Sequence, residues 1–168
     1  NSFRGGSWQY TVDPNLPQPG VTLSEFMADN DDTLNDDDGD ASDWIEIENG
    51  SDQVVNLAGW GLSDSAVTPL QWQFPTVSLG ARSRMVVFAS GKDRRVPTRP
   101  LHTNFRLSRS GGYLGLSRPD GSVASEFGPA YPPQSEDVSY GRLPTNPLKT
   151  GYFVVPTPGS ANAEGGVG

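Results

Sequence analysis

Apolar and polar positions alternate with a period of two over much of this chain, in short runs divided by turn residues. Val21-Thr-Leu-Ser-Glu-Phe-Met27 opens the pattern, with Val21 and Leu23 on one side. In Asp43-Trp-Ile-Glu-Ile-Glu48, Ile45 and Ile47 share one face while Trp44, Glu46 and Glu48 share the other. That is the pattern of a half-buried strand, and it leaves Trp44 half exposed and Glu46 facing solvent. Residues 54–57, 60–62 and 70–74 continue the series, with Trp60 and Trp72 as core residues. Val77 and Leu79 lead into Met85-Val-Val-Phe-Ala89, the longest apolar run, which suits a strand covered on both faces. Residues 90–104 read as a polar connection broken by Pro97 and Pro100. Further strands are expected at 105–107, 113–116, 123–127, 138–140 and 152–155, with a tight turn at Arg118-Pro-Asp-Gly121. No stretch carries sustained helical spacing. Eight or nine short strands at intervals of about ten residues predict an all-β sandwich.

Composition agrees with many turns around a modest core. The 168 residues include 20 Gly and 15 Pro, with 34% hydrophobic and 10% aromatic residues. One domain is expected, spanning 21–162, preceded by a linker or added edge strand at 1–20 that carries Trp8 and Tyr10 and followed by a flexible tail at 163–168. The apolar runs are too short for a membrane-spanning helix. The chain starts at Asn1 rather than Met, which reads as a piece of a longer, processed protein. Cysteine is absent, so neither a disulfide framework nor a thiolate zinc site is available.

Charge changes the picture more than composition does. The net charge is −8, yet residues 5–81 contain 14 acidic side chains and no Lys or Arg, whereas residues 82–168 hold 11 basic and 6 acidic ones. Two halves of opposite sign either pair with one another or present two opposed patches. Overall acidity argues against nucleic acid as the main partner.

Several segments, in order, resemble the lamin tail domain in its bacterial form. They are Val21-Thr-Leu-Ser-Glu-Phe-Met-Ala-Asp-Asn30, Gly39-Asp-Ala-Ser-Asp-Trp-Ile-Glu-Ile-Glu-Asn49 and Val55-Asn-Leu-Ala-Gly-Trp-Gly-Leu-Ser-Asp64, followed by Met85-Val-Val-Phe-Ala-Ser-Gly-Lys92 and Leu101-His-Thr-Asn-Phe-Arg-Leu-Ser108. Pro119-Asp-Gly121 and Pro156-Thr-Pro-Gly-Ser-Ala-Asn162 complete the set. The resemblance implies an immunoglobulin-like antiparallel β-sandwich without catalytic activity, an interaction or scaffold module of a larger exported bacterial protein. It places the chain outside the cell or on its surface, beside other domains of the parent chain, with a protein or glycan partner. No coiled-coil heptads support a filament role. The runner-up reading is a carbohydrate-binding module with an aromatic face and a structural calcium, and the third is a small hydrolase.

The sharpest chemical feature is an acidic loop. Asp29, Asp31, Asp32, Asp36, Asp37, Asp38, Asp40 and Asp43 place eight carboxylates within fifteen residues. Their mutual repulsion calls for a cation or open solvent. Hard oxygen ligands in a glycine-containing loop suit calcium. The loop is not an EF-hand: with Gly39 at the sixth position, Leu34 and Ile45 fall at the first and twelfth, where neither can ligate. The expected set is therefore a non-helical one, Asp36, Asp38, Asp40 and Asp43 with Asp29 and Asp32, and the competing reading is a solvated acidic loop. Lys92, Arg94, Arg95 and Arg99 form the basic counterpart, either a grip for a polyanion or acidic partner or the internal complement of the first half's acids. His102 is the only imidazole, and it is expected to pack or turn; no nucleophile-elbow sequence accompanies it. Glu46 and Glu126 are read as strand-borne acids facing solvent.

Overall fold

The computed structural model describes residues 20–144, 146–160 and 162. The expected linker or edge strand with Trp8 and Tyr10, and the tail at 163–168, lie outside the described residues. Twelve strands are present among them: β1 (Val21–Met27), β2 (Trp44–Asn49), β3 (Val55–Asn56), β4 (Gly61–Ser63), β5 (Trp72–Gln73), β6 (Ser78–Leu79), β7 (Arg84–Phe88), β8 (Leu101–His102), β9 (Gly112–Ser117), β10 (Val123–Tyr131), β11 (Ser139–Leu143) and β12 (Asn146–Phe153). They form a six-stranded sheet in the order β12-β11-β1-β2-β7-β8, a four-stranded sheet β10-β9-β4-β5 and a small β3-β6 pair. All pairings are antiparallel except β7 with β8. The all-β sandwich expected from the alternation is the fold observed.

The period-two pattern explains the main core. Leu23, Phe26, Ile45, Ile47 and Val87 from the larger sheet meet Leu62, Trp72, Leu114, Leu116 and Phe127 from the smaller one, all buried. A bulge between Leu23 and Glu25 lets β1 keep both Leu23 and Phe26 on this face although they are three positions apart.

The outer face of the larger sheet departs from the expected half-exposed pattern. Met27, Trp44, Phe88 and His102 lie opposite one another across β1, β2, β7 and β8, and all four are buried. Met27, Trp44 and Phe88 form a second apolar cluster, with Leu34 of the acidic loop and Val86 packed against it. Trp44 is thus fully buried rather than half exposed, because the acidic loop folds back as a cover. In the next row Glu25 faces Glu46 across the β1–β2 ladder, and neither has any exposed surface. Glu46 is therefore not the solvent-facing strand residue expected from alternation.

Two further differences have local causes. The connection at 90–104 contains β8, whose Leu101 enters the core while His102 extends the outer row. β12 starts at Asn146 and runs through Pro147, which an outermost strand tolerates because its outward N–H needs no ladder partner. It ends at Phe153, leaving Val154 and Val155 exposed. Residues 105–107, expected as a strand, contribute only a bridge between Ser90 and Arg106.

Candidate functional site

The acidic loop is shaped by its own short polar side chains. Asn30 donates from Nδ2 to the carbonyls of Leu34 (2.6 Å) and Ser42 (2.7 Å), while its Oδ1 accepts from the amide of Thr33 at 3.0 Å. Asp36 is the inner pivot. Its Oδ1 accepts the amides of Asp38 (2.9 Å) and Asp40 (3.0 Å), and its Oδ2 accepts the Ser42 hydroxyl at 2.7 Å. Gly39 supplies the left-handed backbone the turn requires, at φ +84°.

Into this turn projects Lys92, carried in the connection between β7 and β8. Its Nζ donates to Asp36 Oδ2 at 2.7 Å, Asp38 Oδ2 at 2.8 Å and Asp40 Oδ2 at 2.8 Å. The Asp36 side chain is wholly buried while those of Asp38 and Asp40 reach solvent. One ammonium thus sits where three carboxylates converge, in the manner of a bound cation. Arg94 adds a two-pronged contact to Asp38, Nη1 to Oδ1 at 3.0 Å and Nη2 to Oδ2 at 2.6 Å, and Arg99 approaches Asp37 at 3.7 Å. Arg95 lies 3.4 Å from Asp93, outside the clasp.

The electrostatics follow the contacts. Burial opposes ionisation of Asp36, but the Lys92 ammonium, the Ser42 hydroxyl and two backbone amides override it and hold the carboxyl well below its usual range. Arg94 and Lys92 hold Asp38 down at about 2. For Lys92 desolvation works against the charge, yet the three carboxylates raise it above the usual lysine value.

Behind the clasp, His102 donates from Nε2 to Asp37 Oδ1 at 2.6 Å, and its Nδ1 meets the Ser90 hydroxyl at 2.8 Å. That hydrogen bond is the main reason the Asp37 carboxyl lies below its usual range. The trio has the residue types of a nucleophilic triad, but Ser90 is only 5% exposed and His102 is fully enclosed. Ser90 also accepts the Lys92 amide at 3.1 Å, and its carbonyl accepts Arg106 Nε at 3.0 Å. A nucleophile must reach its substrate; this arrangement instead fastens the loop to β7 and β8.

Of the six expected ligands, the fold brings together Asp36, Asp38 and Asp40, whose carboxylate oxygens lie within 4.8 Å of one another. Asp29, Asp32 and Asp43 stand apart. Asp29 pairs with Arg109 at 3.1 Å. The amide of Asp32 donates to Asp137 Oδ1 at 2.9 Å while its side chain stays outside. Burial pushes Asp43 up to about 6, against the pull of backbone amides from Asn30 and Leu107. Lys92 as internal cation, and the Asp37–His102–Ser90 chain, are the functional features that alternation could not locate. The signal for them is the segregation of charge, since an all-acidic half needs its bases from elsewhere.

No curated protein matches the chain. The family model for the lamin tail domain does, over residues 14–130. The match stops short of β11, yet β11 pairs directly with β1, so the larger sheet extends past the matched segment. With the expected motifs in sequence order, two packed sheets, and a family model covering more than half of its length, this chain belongs to the lamin tail domain family, whose fold is immunoglobulin-like and whose members are interaction modules.

Proposed function

We propose that this chain is a non-catalytic interaction module of a larger exported bacterial protein, displayed at or beyond the cell surface. The observation that carries the reading is the clasp itself: Lys92, Arg94, Arg99 and His102 are all engaged with the acidic loop. Charges committed to one another stiffen a surface loop, which suits a presenting scaffold. Partners of this reading are a protein surface or the neighbouring domains of the parent chain. Among the described residues no helix is long and apolar enough to cross a membrane. A carbohydrate module needs a pair of exposed coplanar aromatics, and both Trp44 and Trp72 are buried. The test is direct binding of the intact domain to its neighbouring domains and to a glycan array. Saturable binding to a domain supports the reading; glycan retention alone overturns it in favour of the carbohydrate module.

The same reading includes calcium at Asp36, Asp38 and Asp40. Three carboxylates converging on one point offer the hard oxygens calcium takes, but Lys92 already fills that point, so the ion must displace an ammonium. Affinity then falls at the weak end for extracellular modules, roughly 10⁻⁴ to 10⁻³ M. Melting temperature in chelator, calcium and magnesium at fixed ionic strength tests this. Calcium is expected to stabilise more than magnesium, and Lys92→Met more than the unaltered chain, since the competitor is gone. Equal responses to the two ions would reduce the loop to a screened acidic turn.

A further inference from the structure

The row of the outer sheet face next to the Trp44 cluster holds two carboxylates that the clasp does not use. Glu25 on β1 and Glu46 on β2 face one another across the ladder, both without exposed surface. What covers them is the segment 156–160, a strap that follows β12. The amide and hydroxyl of Thr157 donate to Glu25 Oε2 (3.1 Å) and Oε1 (3.0 Å), and the amide of Gly159 donates to Glu46 Oε2 at 2.6 Å. Asn162 continues the fastening, donating from Nδ2 to the carbonyls of Ser24 (2.9 Å) and Arg142 (2.7 Å). From the sheet, Ser24 donates to Glu46 Oε1 at 2.6 Å and Ser139 donates to Glu25 Oε2.

We infer that the Glu25–Glu46 pair is a proton-operated latch, which holds the strap 156–160 on the sheet while the pair carries a proton and releases it when both carboxylates ionise. Two like charges on directly opposed residues repel, and under the strap no water relieves them. Among the described residues no cation offsets them fully. Arg84 on β7 is spent on Glu48, with Nη2 to Oε2 at 2.8 Å, and favours Glu46 ionisation only from a distance. Arg142 on β11 donates to the Leu23 carbonyl, Ser125 Oγ and the Glu126 carbonyl instead. The strap itself brings hydrogen-bond donors but no charge.

The pair's titration agrees with that geometry. Burial pushes Glu46 up to about 7, with the neighbouring Glu25 adding to the rise and the Ser24 and Gly159 donors opposing it. Burial likewise raises Glu25. Lifting the strap hydrates both carboxylates and returns them toward ordinary values. The docked state therefore binds the extra proton, and docking weakens as pH rises. One proton released on undocking gives roughly a tenfold loss of docking per pH unit between the ordinary glutamate range and the docked pair's titration at about 7, and a plateau above it.

The experiment is amide hydrogen exchange at Thr157 and Gly159 between pH 5.5 and 8.5, corrected for intrinsic rates, with Leu23 and Ile47 as internal controls for global opening. Protection of the two strap amides is expected to fall by about tenfold per pH unit from pH 5.5 to about 7 and to level off above that, while the controls hold. Glu46→Gln is expected to keep protection and lose the slope. A flat profile in the unaltered chain, or an unchanged slope in Glu46→Gln, overturns the latch. Should Glu46→Gln fail to fold, the carboxyl carbon resonance of Glu46 in the unaltered chain decides: titration near pH 4 to 5 refutes the inference, and titration near neutrality supports it.

Discussion

Replacing Lys92 by Met removes the ammonium from the acidic loop while keeping an unbranched stem of similar length. Three carboxylates lose a partner, but they do not count equally. Asp38 and Asp40 reach solvent, where such pairs contribute at most about 1 kcal/mol. The Asp36 side chain is wholly buried, and a buried charge robbed of its counter-ion costs about 3–5 kcal/mol when nothing else holds it. Asp36 does keep the Ser42 hydroxyl and the amides of Asp38 and Asp40. The expected loss therefore lies between these limits, at about 2–3 kcal/mol at pH 7. For a domain of this size that lowers the melting temperature by roughly 4–12 °C. The sign with pH follows from the depressed carboxyls. Asp36 and Asp38 titrate below their unfolded value, so the clasp's contribution is whole above about pH 5 and disappears as pH falls through their folded values, about 2 for Asp38. Urea unfolding of both proteins at pH 7 and pH 2.5 makes the assay. The gap between them should be smaller at pH 2.5, part-way through the range over which the contribution is lost. A gap below about 0.5 kcal/mol at pH 7, or one of equal size at both pH values, would refute the assignment of Lys92 as the loop's internal cation.

Met27→Ala opens a cavity beside Trp44 and Phe88 under the acidic cover, and a loss of about 2–5 kcal/mol in urea unfolding is expected. Gly61→Ala places a methyl group 2.8 Å from Leu70 Cδ2 and 2.9 Å from the Pro69 carbonyl oxygen, too close for backbone to yield cheaply. A cost of about 1–3 kcal/mol in the same assay is expected, and a neutral result would mean that the 64–71 turn moves freely.

How far the sequence carried the fold can be read residue by residue. Alternation placed Leu23, Ile45 and Ile47 on the inner face because period two is a local property, fixed by the backbone alone. It misplaced Trp44 and Glu46 for the same reason. Whether a strand's second face meets water depends on what folds over it, and here the covers come from elsewhere in the chain: Leu34 with the acidic loop for Trp44, and Gly159 with the strap for Glu46. The Asp-rich loop announced itself by composition, but of the six carboxylates expected to converge only Asp36, Asp38 and Asp40 come together, because composition does not say which side chains turn inward. What composition could not tell was the identity of the cation, since Lys92 lies 52 to 56 residues away along the chain. The segregation of charge carried that information in coarse form only. β8 escaped notice because two residues are too few to display a period.

The two covers on the outer face answer to different chemistry, although they lie on adjoining rows of one sheet. The acidic loop is held by attraction between opposite charges, much of it near solvent, so salt weakens it and acid abolishes it. The strap is held on two carboxyl groups kept from water, docked while the pair carries a proton, so acid strengthens it and base works against it. Between them they bury a face that alternation alone would have left wet, and each seals one stretch of β2: Trp44 under the loop and Glu46 under the strap. A strand covered on both faces at neutral pH is thus assembled from a locally amphipathic sequence. The stability of the outer face should pass through a maximum in mildly acidic solution, where Asp36 and Asp38 are already ionised and the glutamate pair still carries its proton.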